Sequence, residues 1–249
     1  MRKKKWILYL GVSGMFFLAF SLFGQTVEAT ETVERADSLL SLLLKGGVVM
    51  IPLAVCSILA VTITIERFIS LGRKAMVPPE LDAELDKVFA NGGASKISKA
   101  KVVCEEHPSP LAEIYSTAID YWDHEANDVD KAMGDVASLQ LRKLKRSVRW
   151  LKLIGGVSPL LGLLGTVIGM ISAFQTVAIA SQSIGKAELL AEGIYQAMVT
   201  TAAGLCIAIP TLIVFYYFNN RIDKLGEELE ERGNSFIFKY FRSRLKLES

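Results

Sequence analysis

Four long apolar runs dominate the pattern of hydrophobic and polar positions along the chain. Residues 6–27, 46–65, 153–185 and 193–218 contain no Asp, Glu, Lys, Arg or His. An α-helix rises about 1.5 Å per residue, so about 20 residues are enough to cross a hydrocarbon core roughly 30 Å thick. The pattern therefore predicts helices that lie in a membrane.

The first run has the features of a secretory signal peptide. It follows the basic residues 2–5 and ends near Ala29, a small residue of the kind that signal peptidase accepts. We predict that residues 1–29 are removed and that 30–44 form a periplasmic N-terminal segment. The alternative is an uncleaved signal anchor, because the run is long enough to span the membrane. Both interpretations place the residues after Glu28 outside the cytoplasm.

The other three runs predict an all-α integral membrane protein with three mature transmembrane helices. Basic residues flank the end of the second run and the start of the third, and basic flanks are typical of the cytoplasmic side. We therefore expect a periplasmic N-terminus, a cytoplasmic C-terminus and long helices that extend into the cytoplasm. The expected segments are transmembrane helices at 45–66, 153–178 and 192–218, a cytoplasmic helical region at 67–152, a periplasmic link at 179–191 and a cytoplasmic tail at 219–249.

The region between the first two transmembrane helices is expected to be helical. Breaks are predicted at Pro78-Pro79 and at Asn91-Gly92-Gly93. Ser109 followed by Pro110 suits a helix start, with serine at the N-cap and proline at the first helical position. One helical face follows, and a second series predicts a single helix continuing into the third apolar run. The first face comprises Leu111, Ile114, Tyr115, Ala118, Ile119 and Trp122; the second series comprises Val129, Met133, Ala137, Leu141, Leu144, Val148 and Leu151.

Composition and charge exclude several classes of protein. Hydrophobic residues make up 51% of the 249 residues, and the net charge of +2 does not suggest a nucleic-acid binder. The three cysteines are widely spaced and two of them lie in long apolar runs, so we expect neither a disulfide framework nor a zinc cluster. No phosphate-binding glycine loop with a lysine and no serine elbow is present, so we expect neither an enzyme nor a cofactor.

Two short segments contain side chains that could bind a metal or form an ion pair. The segment Cys104-Glu105-Glu106-His107 offers one pair of metal-binding side chains without a second pair, so an ordinary polar turn is favoured over a metal site. The pair Glu66-Arg67 follows the second apolar run. It is interpreted either as an interfacial pair that anchors the helix or as a contact within an oligomer.

Small residues repeat every four positions in the last two membrane runs. Gly165, Gly169 and Ala173 share one side of the first of them, and Gly204 lies on a similar stripe of the second. Small residues at this period let helix backbones approach closely in lipid, where van der Waals packing replaces the hydrophobic effect. We expect Gly165, Gly169 and Gly204 to be helix-packing residues in a tightly packed oligomer.

Polar residues within the same runs are candidates for an ion path. Thr166, Gln196, Thr200 and Thr201 all lie inside apolar sequence, where their polar groups must find partners. Their hydroxyls either bond to their own helix or line a hydrated pore, and the sequence leaves both open. Neither run contains an interior carboxylate or lysine, so coupled proton transfer would need an acid from another subunit.

The chain resembles the MotA/TolQ/ExbB proton-channel family, and its ExbB-like branch most of all. The resemblance covers about residues 40–220 and rests on four ordered motifs in a matching topology. The motifs are Lys45-Gly46-Gly47-Val48-Val49-Met50-Ile51-Pro52, Ile65-Glu66-Arg67, the segment from Ser158 to Met170, and the segment from Gly193 to Leu205 with Ala208-Ile209-Pro210.

The resemblance implies a homopentamer in the bacterial inner membrane whose second and third spans surround the single helices of an ExbD-like partner. In the family the partner contributes a membrane aspartate that takes up and releases protons. Proton flow then drives a TonB-like protein that energises outer-membrane transport. By the same resemblance, the family threonines map onto Thr166 and Thr201.

One residue departs from the family pattern. Gln196 stands where the best-known ExbB and TolQ members have a glutamate, and glutamine can form hydrogen bonds but cannot titrate. Either the partner aspartate carries all the proton chemistry, or the ion specificity differs. Two other functions stay open: a TolQ-like motor subunit for envelope integrity, and a membrane scaffold that conducts no ions.

Overall fold

The structure is a computed structural model and describes residues 47–90, 95–179 and 185–241. The expected signal peptide (1–29), the segment at 30–44 and the break at Asn91-Gly92-Gly93 lie outside these residues.

The described residues form helices and no strands. They are α1 (Met50–Ser70), α2 (Arg73–Met76), α3 (Pro79–Ala90), α4 (Lys96–Glu106), α5 (Pro110–Asp120), α6 (Ala126–Ile179) and α7 (Lys186–Phe236), followed by a π-helical turn (Ile237–Phe241). The all-α fold class is therefore confirmed. The break at Pro78-Pro79 is confirmed too, since α2 ends at Met76 and α3 begins at Pro79.

Within the part of the chain that the structure describes, three helices are long and apolar enough to cross a membrane: α1, α6, and α7 together with its π-helical turn. The prediction of one continuous helix running from the polar region into the third apolar run is confirmed by α6, which has 54 residues. A helix of that length measures about 80 Å, so a bilayer can enclose only part of it.

The described residues divide into two compact units. The first unit, which we call the span unit, consists of the described residues within Met1–Thr64 and Arg149–Tyr216. The second, which we call the charged unit, consists of those within Ile65–Val148 and Tyr217–Ser249. Helices α1, α6 and α7 each contribute residues to both units, whereas α2 to α5 belong to the charged unit.

Helix α5 organises the core of the charged unit. The Ser109 side chain accepts a hydrogen bond from the Ala112 backbone N–H at 3.2 Å, and Pro110 occupies the first turn, as the sequence predicts. Every residue of the predicted apolar face is buried, including Leu111, Ile119 and Trp122. The indole of Trp122 stacks on Phe89 with ring centroids 5.1 Å apart.

A second group of contacts in the charged unit is ionic. Arg73 donates to both carboxylate oxygens of Glu228, at 2.6 Å through Nη2 and at 3.1 Å through Nε. Arg232 pairs with Asp82, which also accepts a hydrogen bond from the Tyr115 hydroxyl at 2.8 Å. These bonds join α2 and α3 to the part of α7 in this unit, and they join α5 to α3.

Candidate functional site

Helices α6 and α7 approach each other closely in the span unit. A Cβ on residue 204 would stand 2.6 Å from the carbonyl oxygen of Ser158, and a Cβ on residue 162 would stand 3.0 Å from the Cα of Thr201. Real Cβ atoms do not fit at the first of these distances. The two backbones touch directly because glycine occupies both positions.

The contact continues along the predicted small-residue stripe. A Cβ on residue 165 would stand 2.5 Å from Oγ1 of Thr200, and a Cβ on residue 169 would stand 3.1 Å from the Cβ of Ala197. Gly165, Gly169 and Gly204 therefore face neighbours of the same chain. The sequence indicated close packing on this stripe without indicating that both helices of the contact belong to one molecule.

Two threonine hydroxyls of α7 reach the backbone of α6 at Gly162. Thr201 Oγ1 donates to the Gly162 carbonyl at 3.2 Å. Thr200 Oγ1 lies 2.7 Å from the Ala197 carbonyl on its own helix and 3.4 Å from the same Gly162 carbonyl. Since a hydroxyl has one proton, the shorter bond of Thr200 is the one it makes, and the longer contact is secondary.

The two threonines differ in accessibility. Thr200 is 1% exposed, whereas Thr201 is partly exposed. Thr166, also partly exposed, donates to the Leu163 carbonyl at 2.6 Å and lies one helical turn beyond Gly162 on α6. Each hydroxyl oxygen still has lone pairs that can accept a hydrogen bond, so Thr166 and Thr201 can bind a water molecule or a protonated carboxyl group without losing their helix contacts.

Gln196 belongs to α7 but lies apart from these contacts. Its side chain lies beside Gly47, which precedes the start of α1 at Met50. Its Nε2 atom is 2.8 Å from the place that a Cβ on Gly47 would take, and Gly47 has a positive φ of 71°. The structure thus brings Thr200 and Thr201 together at Gly162 and places Gln196 beside Gly47.

Sequence reasoning missed two elements of the α6–α7 contact. Ser158 is fully buried, donates its hydroxyl proton to the Ile154 carbonyl at 2.8 Å and presents its own carbonyl to Gly204. The Gly162 carbonyl acts as the acceptor between the helices. The adjacent Pro159 was a possible signal, since proline removes the N–H that would bond to the Gly155 carbonyl and thereby marks an unusual turn of helix.

The segment Cys104–His107 does not gather metal ligands. Cys104 is a buried free thiol, and burial raises its pKa to about 11. The His107 ring lies 3.0 Å from a carboxylate oxygen of Glu84. Within the described residues, no group of three or more His, Cys, Asp or Glu side chains could hold a metal ion.

Comparison with known proteins places this helix pair in a family. A family model described as the MotA/TolQ/ExbB proton channel family matches residues 106–231. A putative biopolymer transport protein ExbB-like 3 of Synechocystis sp. is 30% identical over 175 residues, which cover 70% of this chain and 82% of that protein.

Two further relatives match shorter parts of the chain. A biopolymer transport protein exbB1 of Vibrio cholerae is 43% identical over 95 residues, covering 38% of this chain and 41% of the relative. A Tol-Pal system protein TolQ of Pseudomonas aeruginosa is 29% identical over 155 residues, which cover 62% of this chain and 60% of that protein.

Proposed function

Because the chain belongs to the MotA/TolQ/ExbB proton channel family, we propose that it is the multi-span subunit of an ion-driven motor in the bacterial inner membrane. It works with an ExbD-like single-span partner, and protons moving through the complex drive motion of the two components. The recipient of the work is a TonB-like protein that energises outer-membrane transport.

One observation of the helix pair carries this proposal. The partly exposed hydroxyl of Thr201 lies where the backbones of α6 and α7 touch, and it donates to the Gly162 carbonyl at 3.2 Å. The surrounding apolar runs, 153–185 and 193–218, contain no carboxylate and no lysine. The packed helices α6 and α7 therefore contribute hydrogen-bonding groups to the ion path. The titrating acid has to come from another protein.

Within this proposal the candidate polar residues have different roles. Thr166 and Thr201 face the ion path, because their hydroxyls are partly exposed and retain accepting lone pairs. Thr200 is nearly inaccessible and serves the packing of α7 on α6. Gln196 cannot titrate, so the partner aspartate performs the proton uptake and release.

The proposed topology follows from the charges. The polar helices of the charged unit, with basic residues such as Arg67, Arg73 and Lys145, lie in the cytoplasm, and the turn around Gly185 lies in the periplasm. The apolar side chains that α6 and α7 leave exposed in a single chain are then covered by lipid and by other subunits of a homopentamer; examples are Leu160, Leu164, Ile168, Met198 and Ile209.

The relatives also favour a second candidate, a TolQ-like motor that maintains the cell envelope. A TolQ of Pseudomonas aeruginosa matches 155 residues of the chain. The two candidates share the ion path and differ in the protein that receives the work, so deletion of the gene separates them. Loss of energised uptake at the outer membrane supports the ExbB-like function, whereas leakage of periplasmic proteins with normal uptake supports the TolQ-like one.

The experiment that tests the motor function is affinity purification of the full chain from native membranes. We expect a co-purifying single-span protein with one aspartate in its membrane helix, and we expect proton flux to stop when that aspartate becomes asparagine. A chain that purifies without a membrane partner and supports no proton flux would be the non-conducting scaffold instead. Flux that persists after that change would contradict the role given to the partner aspartate.

A further inference from the structure

A groove of about 760 Å³ lies between α6 and α7 in the charged unit. The helices meet closely at its base, where a Cβ on residue 226 would stand 2.9 Å from Leu141 Cδ2 and a Cβ on residue 233 would stand 3.4 Å from Met133 Cε. Gly134 borders the groove on α6, and nothing lies within 4 Å of the place where its side chain would begin. The groove therefore has room for an aliphatic side chain from another element.

The rim of this groove is acidic. Its charged side chains are four carboxylates and one ammonium group, which belong to Asp130, Asp223, Glu227, Glu230 and Lys131. The carboxylate of Asp223 is paired with Lys145 at 2.8 Å. Glu227 and Glu230 are exposed, and neither forms an ion pair with a residue that the structure describes. An occupant that fits the groove therefore carries positive charge beside an aliphatic group.

One exposed face of α6, which we call the basic face, has this chemistry. It consists of Leu139, Lys143 and Arg146, which recur at intervals of four and three residues and so share one side of the helix. All three are exposed, and the two cations form no ion pair with the described part of the chain. Lys143 lies about 200° around the helix from Leu141 of the groove. The basic face therefore points away from the groove of its own chain.

We propose that the groove of one chain accepts the basic face of a second copy of this chain. Leu139 of the second copy enters the groove beside Gly134, and Lys143 of the second copy lies against the carboxylate of Glu227. This contact rests on the homopentamer proposed above, and it names the surfaces that join the charged units of neighbouring copies.

The positions of the two surfaces suit a ring of copies. Because the groove and the basic face are different patches, each copy gives its basic face to one neighbour and its groove to the other. Contacts of this heterologous kind generate a closed ring when the rotation between copies closes. A contact between identical patches joins only two copies, so a ring with an odd number of copies needs heterologous contacts.

The heights of the charges along the helices agree with the same arrangement. In a ring whose axis runs along α6 and α7, neighbouring copies lie at the same height. Gly226 lies against Leu141 in each copy, which fixes the antiparallel register of the two helices. Glu227 and Lys143 are then about 4.5 Å apart along the helix axis, a distance that a lysine side chain can bridge. Asp130 is about 20 Å from Lys143 along α6 and takes no part in the contact.

Disulfide trapping between two differently tagged chains tests the contact. Cys56, Cys104 and Cys206 are replaced by alanine in both chains, one of which then carries Ser138→Cys in the groove and the other Leu139→Cys. In the matched control the second chain carries Ser235→Cys instead, because Ser235 is exposed and lines a different pocket. Both chains are produced together and oxidised in native membranes. We expect the 138–139 heterodimer to form roughly tenfold faster than the 138–235 heterodimer, since a disulfide needs its two Cα atoms within about 7 Å.

Two other results of this experiment overturn the proposal, and they differ in what they say about the motor. Equal rates in an intact oligomer mean that the groove does not hold the basic face, and they leave the proposed motor function standing. A chain that stays monomeric in native membranes overturns the homopentamer and this contact together.

Charge reversal in the otherwise unaltered chain gives a second measurement, which does not depend on the cysteine replacements. Lys143→Glu places two carboxylates against each other between copies, so we expect the purified oligomer to dissociate roughly fivefold faster on dilution. The combined variant Lys143→Glu/Glu227→Lys restores opposite charges and should dissociate at the original rate. Lys99→Glu makes the same change of charge at an exposed site on α4 and should have no effect. An unchanged rate for Lys143→Glu, or a combined variant that dissociates as fast as the single one, contradicts the proposal.

Discussion

The side-chain amide of Gln196 lies directly against the backbone of Gly47, with Nε2 2.8 Å from the position of a Cβ on residue 47. Gly47 has φ of 71°, in the left-handed region that costs other residues about 1–2 kcal/mol. A side chain at position 47 would therefore add backbone strain and would require the end of the flexible Gln196 side chain to move.

The first prediction concerns this position. We expect Gly47→Ala to lower the thermal unfolding temperature of the purified protein by several degrees, because it adds backbone strain and displaces the Gln196 amide. Gly156→Ala is the control, since Gly156 is exposed within α6 and nothing lies near its missing side chain. Alanine there should be neutral or stabilising by up to about 1 kcal/mol. Equal effects of the two variants would show that the contact is unimportant.

The α6–α7 contact gives a second prediction. Gly169→Leu inserts a branched side chain where even a Cβ would lie 3.1 Å from Ala197, so it should separate the helices and cost about 1–3 kcal/mol or more. Native mass spectrometry and thermal unfolding in detergent measure the assembly and the fold, with Gly156→Leu as the control of equal bulk. A Gly169→Leu protein with unchanged unfolding and an unchanged oligomer would contradict the packing role.

The third prediction concerns acid stability of the charged unit. The hydrogen bond from Arg73 holds the pKa of Glu228 below its ordinary value. A carboxylate with a depressed pKa in the folded state stabilises the fold above its unfolded pKa of about 4.3, and this stabilisation is lost as the pH falls through the folded pKa. Glu228→Gln should therefore destabilise the protein at pH 7 and make its unfolding temperature less dependent on pH below about 5. Glu231→Gln is the control, because it removes an exposed carboxylate from the same helix.

Thiol chemistry supplies a fourth prediction. Burial raises the pKa of Cys104 to about 11, so very little thiolate is present at pH 8, and the thiol is also shielded. Mass spectrometry after iodoacetamide treatment should find Cys104 unmodified in the native protein and modified in denaturant. A cysteine introduced by Ser98→Cys, exposed on the same helix, should react readily. Rapid native modification of Cys104 would mean that α4 opens away from α5.

Local signals in the sequence predict much of the fold. Ser109 and Pro110 define the start of α5 because an N-cap depends only on residues a few positions apart. The continuity of α6 is predicted in the same way, from a helical series that runs into an apolar run. The small-residue period of Gly165 and Gly169 likewise indicates that another backbone lies close.

The pairing of residues across helices cannot be read from such signals. That Gly204 faces the Ser158 carbonyl, or that Gln196 lies beside Gly47, depends on the register between helices that are distant in sequence. The hydrophobic pattern shows which face of a helix is buried, but it does not show which residues of two helices lie opposite each other. For the same reason the sequence grouped Thr166, Gln196, Thr200 and Thr201 as one set, whereas the structure separates them by partner and by exposure.

The proposed ion path is tested most directly by proton flux in cells that produce this chain with its membrane partner. Thr166→Val and Thr201→Val keep the side-chain shape but remove the partly exposed hydroxyls. Thr211→Val is the matched control, because Thr211 is a fully buried threonine of α7 that bonds to the Ile207 carbonyl at 2.6 Å. A pH-sensitive dye reports flux, and co-purification of the partner reports assembly.

We predict that Thr166→Val and Thr201→Val complexes assemble normally and lose at least tenfold in flux, while Thr211→Val retains it. Full flux in both path variants at normal expression would contradict the account, and would leave these hydroxyls as helix residues satisfied by the carbonyls of Leu163 and Gly162.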